Sequence, residues 1–133
     1  MILYHGTSQV YANQILSKVD VTRSGGELGR GFYLADQLAF AVAWAKGRYG
    51  PNGKVVQFDV SNSAYANLNI LSIGRLRVCS TWAQLKLTRR TRSYLFGVDV
   101  VYGPICNYPH LTQHKFESAQ AGAELDRSSP KVL

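Results

Sequence analysis

Only two cysteines occur in the chain, Cys79 and Cys106, and neither lies in a Cys-x-x-Cys or Cys/His metal-ligand spacing. Two thiols do not make a disulfide framework, so both are expected as small buried apolar residues, and no metal is expected. No run is both long and apolar enough to span a bilayer, and the first residues enter a strand where a leader would show charged, apolar and small residues in turn. A soluble, cytoplasmic protein with no membrane partner is therefore expected. The chain also lacks repeats and low-complexity tracts, which excludes repeat arrays and tail-like segments. Negative charge is the last absence: no acidic residue falls between Asp59 and Asp99.

That same stretch carries Arg75, Arg77, Lys86, Arg89, Arg90 and Arg92, within a chain of formal net charge +7. Such a patch attracts a polyanion. Trp82 and Tyr94 are interleaved with the cations, a combination that binds single-stranded nucleic acid by pairing charge with stacking. A solvated helix face produces the same charge run, and an acidic protein partner fits it too.

At 133 residues there is room for one domain, spanning 1–133, in which a chain of this size buries roughly two thirds of its unfolded surface. Ile2 to Tyr4 reads as a strand and Ser8 to Lys18 as a helix, with Val10, Ile15 and Leu16 sharing a stripe beside Tyr11. Ser24-Gly25-Gly26 breaks the chain. After a strand over Phe32 to Ala35, Asp36 is placed to cap a helix containing Leu38, Phe40, Ala41, Ala43, Trp44 and Ala45, which stops near Gly47. Gly50-Pro51-Asn52-Gly53 reads as a turn. Lys54 to Val60, Val98 to Tyr102 and Gln113 to Glu117 are expected as strands, Ser80 to Arg90 as a helix on Trp82, Leu85 and Leu87, and Ser118 to Leu125 as a last helix. Strands outnumber the helices that could serve as crossovers, so the class is α+β rather than doubly wound.

Two segments end apolar runs in residues that can face a ligand: Tyr4-His5-Gly6-Thr7-Ser8 and Gly29-Arg30-Gly31-Phe32-Tyr33-Leu34-Ala35-Asp36. A phosphate-cradling role for Gly29-x-Gly31 is poor, because a strand follows it and no P-loop lysine and hydroxyl pair is present. Together with the alanine-rich helix, and with Val98-Asp99-Val100-Val101-Tyr102-Gly103-Pro104-Ile105 and Gln113-His114-Lys115-Phe116-Glu117-Ser118 near the end, the chain resembles the ADP-ribosyltransferases with a His-Tyr-[Glu/Asp/Gln] triad. This is the poly(ADP-ribose) polymerase and diphtheria-toxin branch, including its small bacterial toxin-like members. Residues 61 to 97 match least. The resemblance implies two packed, mainly antiparallel sheets with flanking helices around an NAD cleft.

It also implies roles. His5 would hydrogen-bond a ribose hydroxyl, the Gly6 backbone would meet the nicotinamide amide, which the lack of a Cβ permits, and Thr7 or Ser8 would lie near sugar hydroxyls. Tyr33 aligns with the triad tyrosine, and Trp44, eleven residues on, with a second stacking aromatic, so that the nicotinamide would be clamped between them. Gln113 aligns with the third triad position. Glutamine can orient the ribose through its 2′-hydroxyl but cannot take a proton, and on chemistry Glu117 or Asp99 is the alternative. Strand alternation puts Gln113, Lys115 and Glu117 on one face, with the two candidates about 13 Å apart, so both cannot serve one ribose carbon. A first-turn helix cap is the structural role open to Glu117.

The activity implied is mono-ADP-ribosyl transfer from NAD+, a substrate rather than a bound cofactor, with release of nicotinamide. The acceptor would be RNA, DNA or protein, bound by Arg75, Arg77, Lys86, Arg89, Arg90 and Arg92, and an acidic antitoxin or immunity protein would be a natural partner for a toxin-like effector. Lys115 stands where arginine-specific relatives carry a carboxylate, which disfavours arginine as acceptor. NAD+ hydrolysis, a degenerate NAD-binding module and a pure nucleic-acid-binding module are the alternatives.

Overall fold

The first strand, β1 (Ile2–Ser8), runs straight into helix α1 (Gln9–Ser17) because the Ser8 hydroxyl accepts from the Tyr11 N–H at 3.3 Å and caps the helix. The computed structural model describes all 133 residues. Of the apolar stripe expected on α1, only Ile15 is buried, together with Ala12, while Val10 is 67% and Leu16 45% exposed. β2 (Phe32–Ala35) follows, then α2 (Leu38–Tyr49), a 3-10 turn at Gly50–Asn52 and β3 (Gly53–Asp59). Asp36 does not cap α2. Gln37 occupies the cap position without a side-chain bond, and Asp36 faces His114 instead, Oδ2 to Nε2 at 3.7 Å.

The second half comprises α3 (Asn62–Ala66), β4 (Ile70–Ser72), α4 (Arg75–Leu87), β5 (Val100–Ile105), β6 (Tyr108–Phe116), α5 (Ala119–Arg127) and β7 (Lys131–Val132). α4 begins at Arg75 rather than Ser80, with Gly74 in the cap position and Val78 of the first turn already packed in the core. Its buried residues are Val78 and Leu85, and Leu87 is 80% exposed.

All seven strands belong to one mixed sheet in the order β4-β5-β6-β2-β1-β3-β7, so the expectation of two packed sheets is wrong. Only β4 and β5 run parallel. The sheet nevertheless comes close to dividing. β1 pairs with β3 along its whole length, from Ile2–Asp59 to Ser8–Gly53, and β2 pairs with β6 from Phe32–Phe116 to Ala35–Gln113. β1 and β2 share a single rung, Tyr4 with Ala35. A four-strand half and a three-strand half are therefore joined at one position.

Alternation along the strands makes two apolar faces. Leu3, Phe32, Leu34, Val56, Phe58, Val100 and Phe116 form the main core beneath α1 and α5, closed by Ala12, Ile15, Ala121 and Leu125. On the other face α2 packs Ala41 and Ala45 on Val55, and α4 packs Val78 on Leu28, Ile73 and Val101. Cys79 on α4 and Cys106 in the β5–β6 turn form a disulfide with Cα atoms 5.1 Å apart. This overturns the expectation of two unbonded buried thiols. A separation of 27 residues gave no local sign of it, and only the packing of α4 against β5 brings the pair together.

Lys115 is fully buried, and its ammonium donates to the Leu28 carbonyl at 2.7 Å and pairs with Glu117. Burial pushes the Lys115 amine down, against the carboxylate that favours its charge. The Glu117 carboxylate also accepts from the backbone N–H groups of Phe96 at 2.9 Å, Gly97 at 2.8 Å and Val98 at 3.3 Å. Glu117 is thus no helix cap. Ser118 caps α5 by accepting from the Ala121 N–H at 3.0 Å, while Glu117 holds a loop to the sheet. Glu117→Gln leaves the Lys115 charge uncompensated in the core and is expected to lower stability by about 3 kcal/mol, the scale for breaking one partner of a buried ion pair. Urea midpoints of the two proteins at neutral pH check this.

Candidate functional site

Where β1 and β2 diverge beyond their single rung, an imidazole spans the opening. His5 Nδ1 lies 2.6 Å from the Tyr33 carbonyl oxygen, and its ring stacks on Phe32 with centroids 4.1 Å apart. A carbonyl only accepts, so Nδ1 carries the hydrogen and Nε2 is left as an acceptor. Burial pushes the imidazole pKa down to about 4, although the bond to Tyr33 favours the charged form. His5 is neutral at physiological pH.

The opening is part of a continuous groove of about 1350 Å³, lined by His5, Gly6, Thr7, Tyr33, Trp44 and Gln113 among others. It exceeds the roughly 300–1,000 Å³ of a pocket for a drug-sized ligand. Five of the six residues expected at a dinucleotide, and Gln113, therefore line the same groove. The sixth, Ser8, does not. Its hydroxyl caps α1 and it lines a separate depression with Gln9, Val10 and Asn13.

Gly6 has a second reason for lacking a side chain, because a Cβ there would stand 2.6 Å from the Ala41 carbonyl oxygen and 3.1 Å from Trp44 Cδ1. Close approach of α2 is what the absent side chain permits. Trp44 is 52% exposed on the outward side of that helix, so it belongs to the groove and not the core. The Tyr33 phenol donates to the Gly29 carbonyl at 2.6 Å and accepts from the Leu28 N–H at 3.0 Å, and burial drives its pKa up. Gly29 itself has φ +86°, a conformation that favours glycine. Tyr33 thus offers the groove its ring, while its hydroxyl pins the Gly26–Gly29 loop.

Gln113 is buried, and its amide nitrogen donates to Glu27 Oε1 at 2.9 Å and to the Pro104 carbonyl at 3.2 Å. Of the two carboxylates weighed against it, Glu117 is engaged with Lys115 and the loop at 96–98. Asp99 is buried, accepting from the Asn69 N–H at 2.8 Å and the Ser118 hydroxyl at 2.5 Å. Neither lines the groove. Glu27 does, as do the cations Arg23 and Arg48, and all three are absent from the reading of the sequence. The signal for Glu27 was a single acid set between a glycine pair and Leu28-Gly29, a segment legible only as a chain break. No three His, Cys, Asp or Glu side chains converge as a metal-ligand set.

The basic residues Arg75, Arg77 and Lys86 lie on α4, with Arg89, Arg90 and Arg92 just after it, and all six are exposed and free of carboxylate partners within 4.0 Å. Lys86 sits over the Trp82 ring at 3.9 Å and Arg90 over Tyr94 at 5.2 Å, so one face of each aromatic is already covered by a cation. Trp82 also lines the groove, which brings the patch to its rim. α4 ends in a Schellman turn: the Arg90 N–H bonds the Leu85 carbonyl at 2.8 Å, the Arg89 N–H bonds Lys86 at 3.3 Å, and Arg89 has φ +57°.

Fold and groove define the class of protein: a small α+β domain with a large groove at a nearly divided mixed sheet. Its family is the one described as Protein of unknown function (DUF3990), to which the chain belongs by a match over residues 1–121. No curated protein matches it. No helix is long and apolar enough to cross a membrane.

The His5 environment has a consequence for acid stability. The unfolded imidazole takes a proton near its ordinary 6.5 and the folded one only near 4, so the unfolded state binds more protons between these values. Stability contributed by neutral His5 is complete above about pH 6.5 and is lost as pH falls towards 4. His114, also lowered by burial, acts in the same direction. Urea midpoints from about pH 7 to pH 4 are expected to fall less steeply in His5→Gln than in the wild type.

Proposed function

We propose that the protein is a mono-ADP-ribosyltransferase that uses NAD+, releases nicotinamide and passes ADP-ribose to a macromolecular acceptor. The observation that carries this reading is the His5 bond to the Tyr33 carbonyl, which leaves Nε2 of a neutral imidazole as an acceptor in a groove that Tyr33, Trp44 and Gln113 also line. An acceptor nitrogen suits a ribose hydroxyl and an exposed indole suits a nicotinamide ring. Arg23 and Arg48 on the groove wall suit a pyrophosphate. The resemblance of the same residues to the His-Tyr-[Glu/Asp/Gln] transferases points in the same direction.

In this reading His5 Nε2 and Gln113 Oε1 hold the ribose while the bond from its C1′ to the nicotinamide nitrogen breaks. The bonding pair leaves with nicotinamide, and the sugar passes through an oxocarbenium-like state that the enzyme binds more tightly than the ground state. Tyr33 acts through its ring and through the loop its hydroxyl holds. Water in place of the acceptor gives NAD+ hydrolysis.

Purified protein is expected to release nicotinamide from NAD+, with His5→Ala and Gln113→Ala each reducing the rate about 100-fold, the scale of losing one transition-state hydrogen bond. Trp44→Ala is expected to weaken NAD+ binding about tenfold with little change in thermal stability, since the indole is half exposed. Binding without turnover in the wild type would mark an NAD-binding module, and no binding would sink the reading.

The exposed cations beside the groove favour a nucleic-acid acceptor. Replacing Arg89 and Arg90 with glutamate is expected to suppress modification of RNA or DNA at least tenfold and leave NAD+ hydrolysis unchanged. Affinity of the wild type for the polyanion should fall steeply with salt, as release of several counterions requires. Label found only on protein, indifferent to salt and to both reversals, would move the acceptor to protein.

A further inference from the structure

Gln113 meets two acceptors at one atom. Glu27 Oε1 and the Pro104 carbonyl both lie within hydrogen-bond distance of its amide nitrogen, at 2.9 Å and 3.2 Å. Only a group with two hydrogens satisfies both, so a glutamate at position 113 would set its oxygen against a carbonyl and a carboxylate at once. The amide is demanded by its surroundings, and it turns Gln113 Oε1 away from both acceptors. A carboxylate, which Gln113 itself does not supply, is present nearby on Glu27.

Glu27 is held from three directions. Its Oε1 accepts from the Gln113 amide and, at 2.9 Å, from the Cys106 N–H of the β5–β6 turn, itself tied to α4 by the disulfide. Its own loop is fixed by the Tyr33 hydroxyl on Leu28 and Gly29. Both of its hydrogen bonds fall on Oε1, leaving Oε2 without a protein partner. Asp20 and Asp126 also line the groove but are occupied locally, Asp20 by Thr22 and Asp126 by the Val19 N–H at 2.8 Å.

We propose that Glu27 is the general base of the transfer, a catalytic carboxylate supplied by the loop before β2 in place of one on β6. The proposal rests on the NAD+ reading above. As the bond from C1′ to nicotinamide breaks and its electron pair leaves on the ring nitrogen, the oxygen of water or of an acceptor hydroxyl bonds to C1′. Its proton passes to Glu27 Oε2 and then to solvent. Gln113 positions the sugar and Glu27 the nucleophile.

The test measures nicotinamide release by the full chain with NAD+, alongside NAD+ binding by titration. Glu27→Gln keeps an acceptor oxygen for the Cys106 and Gln113 N–H groups, so the fold and the KM for NAD+ should hold within about twofold. Its kcat should fall about 100-fold and lose the acidic limb of the wild-type pH profile, as removal of a general base requires. Glu27→Ala should be equally slow and should regain activity with added formate, whereas Gln113→Ala should not. Wild-type turnover with an unimpaired Glu27→Gln would overturn the Glu27 role alone. So would a slow Glu27→Ala that ignores formate and keeps the acidic limb, which would reduce Glu27 to a loop anchor. A wild type that neither binds nor cleaves NAD+ would overturn both this role and the reading beneath it.

Discussion

One hydrogen bond sits where the structure could have closed and did not. β1 and β2 meet at Tyr4 and Ala35 and then part, and the His5 imidazole replaces the backbone bond that a continued ladder would have made. Because the ring takes up the Tyr33 carbonyl, the strand edges separate without leaving that acceptor unpaired. The same bond selects the tautomer, and burial keeps the ring neutral. The gap between β1 and β2, the groove and the imidazole tautomer thus meet at one residue, since a side chain bonds across a gap that the backbone ladder leaves open.

The buried charges are divided between support and site. Lys115 and Glu117 lie inside the domain and hold the carbonyl of Leu28 and the N–H groups of Phe96 to Val98, so an ion pair that contributes little net energy sets where two loops run. Tyr33 does the same for Leu28 and Gly29. The loop carrying Glu27 is therefore fixed at two successive residues before Glu27 makes any bond of its own. An acid on an otherwise irregular segment gains the positional precision of a strand residue.

Part of the groove was legible. His5, Gly6, Thr7, Tyr33, Trp44 and Gln113 could be picked out because strands end abruptly in polar residues and because their order along the chain carries a resemblance. Ser8 was misplaced for a local reason: at the junction of strand and helix a serine is claimed by the helix end. Asp36 shows the reverse, since a residue suited to capping was drawn aside by His114 across the sheet. The single sheet and the disulfide were not legible, because both depend on which strands lie side by side, and pairings between distant segments leave no periodic trace. Glu27 was hidden for the same reason, as its partners are 79 and 86 residues away.

The end of α4 shows what the basic patch costs the fold. A Schellman turn places one residue in the left-handed region, where glycine is at ease and any residue with a Cβ is disfavoured by about 1 kcal/mol. Here that residue is Arg89, with φ +57°. At this one position backbone economy and electrostatic field make opposite demands: the smallest residue would give the firmer helix end and the weaker potential beside the groove. The chain is built on the side of the field.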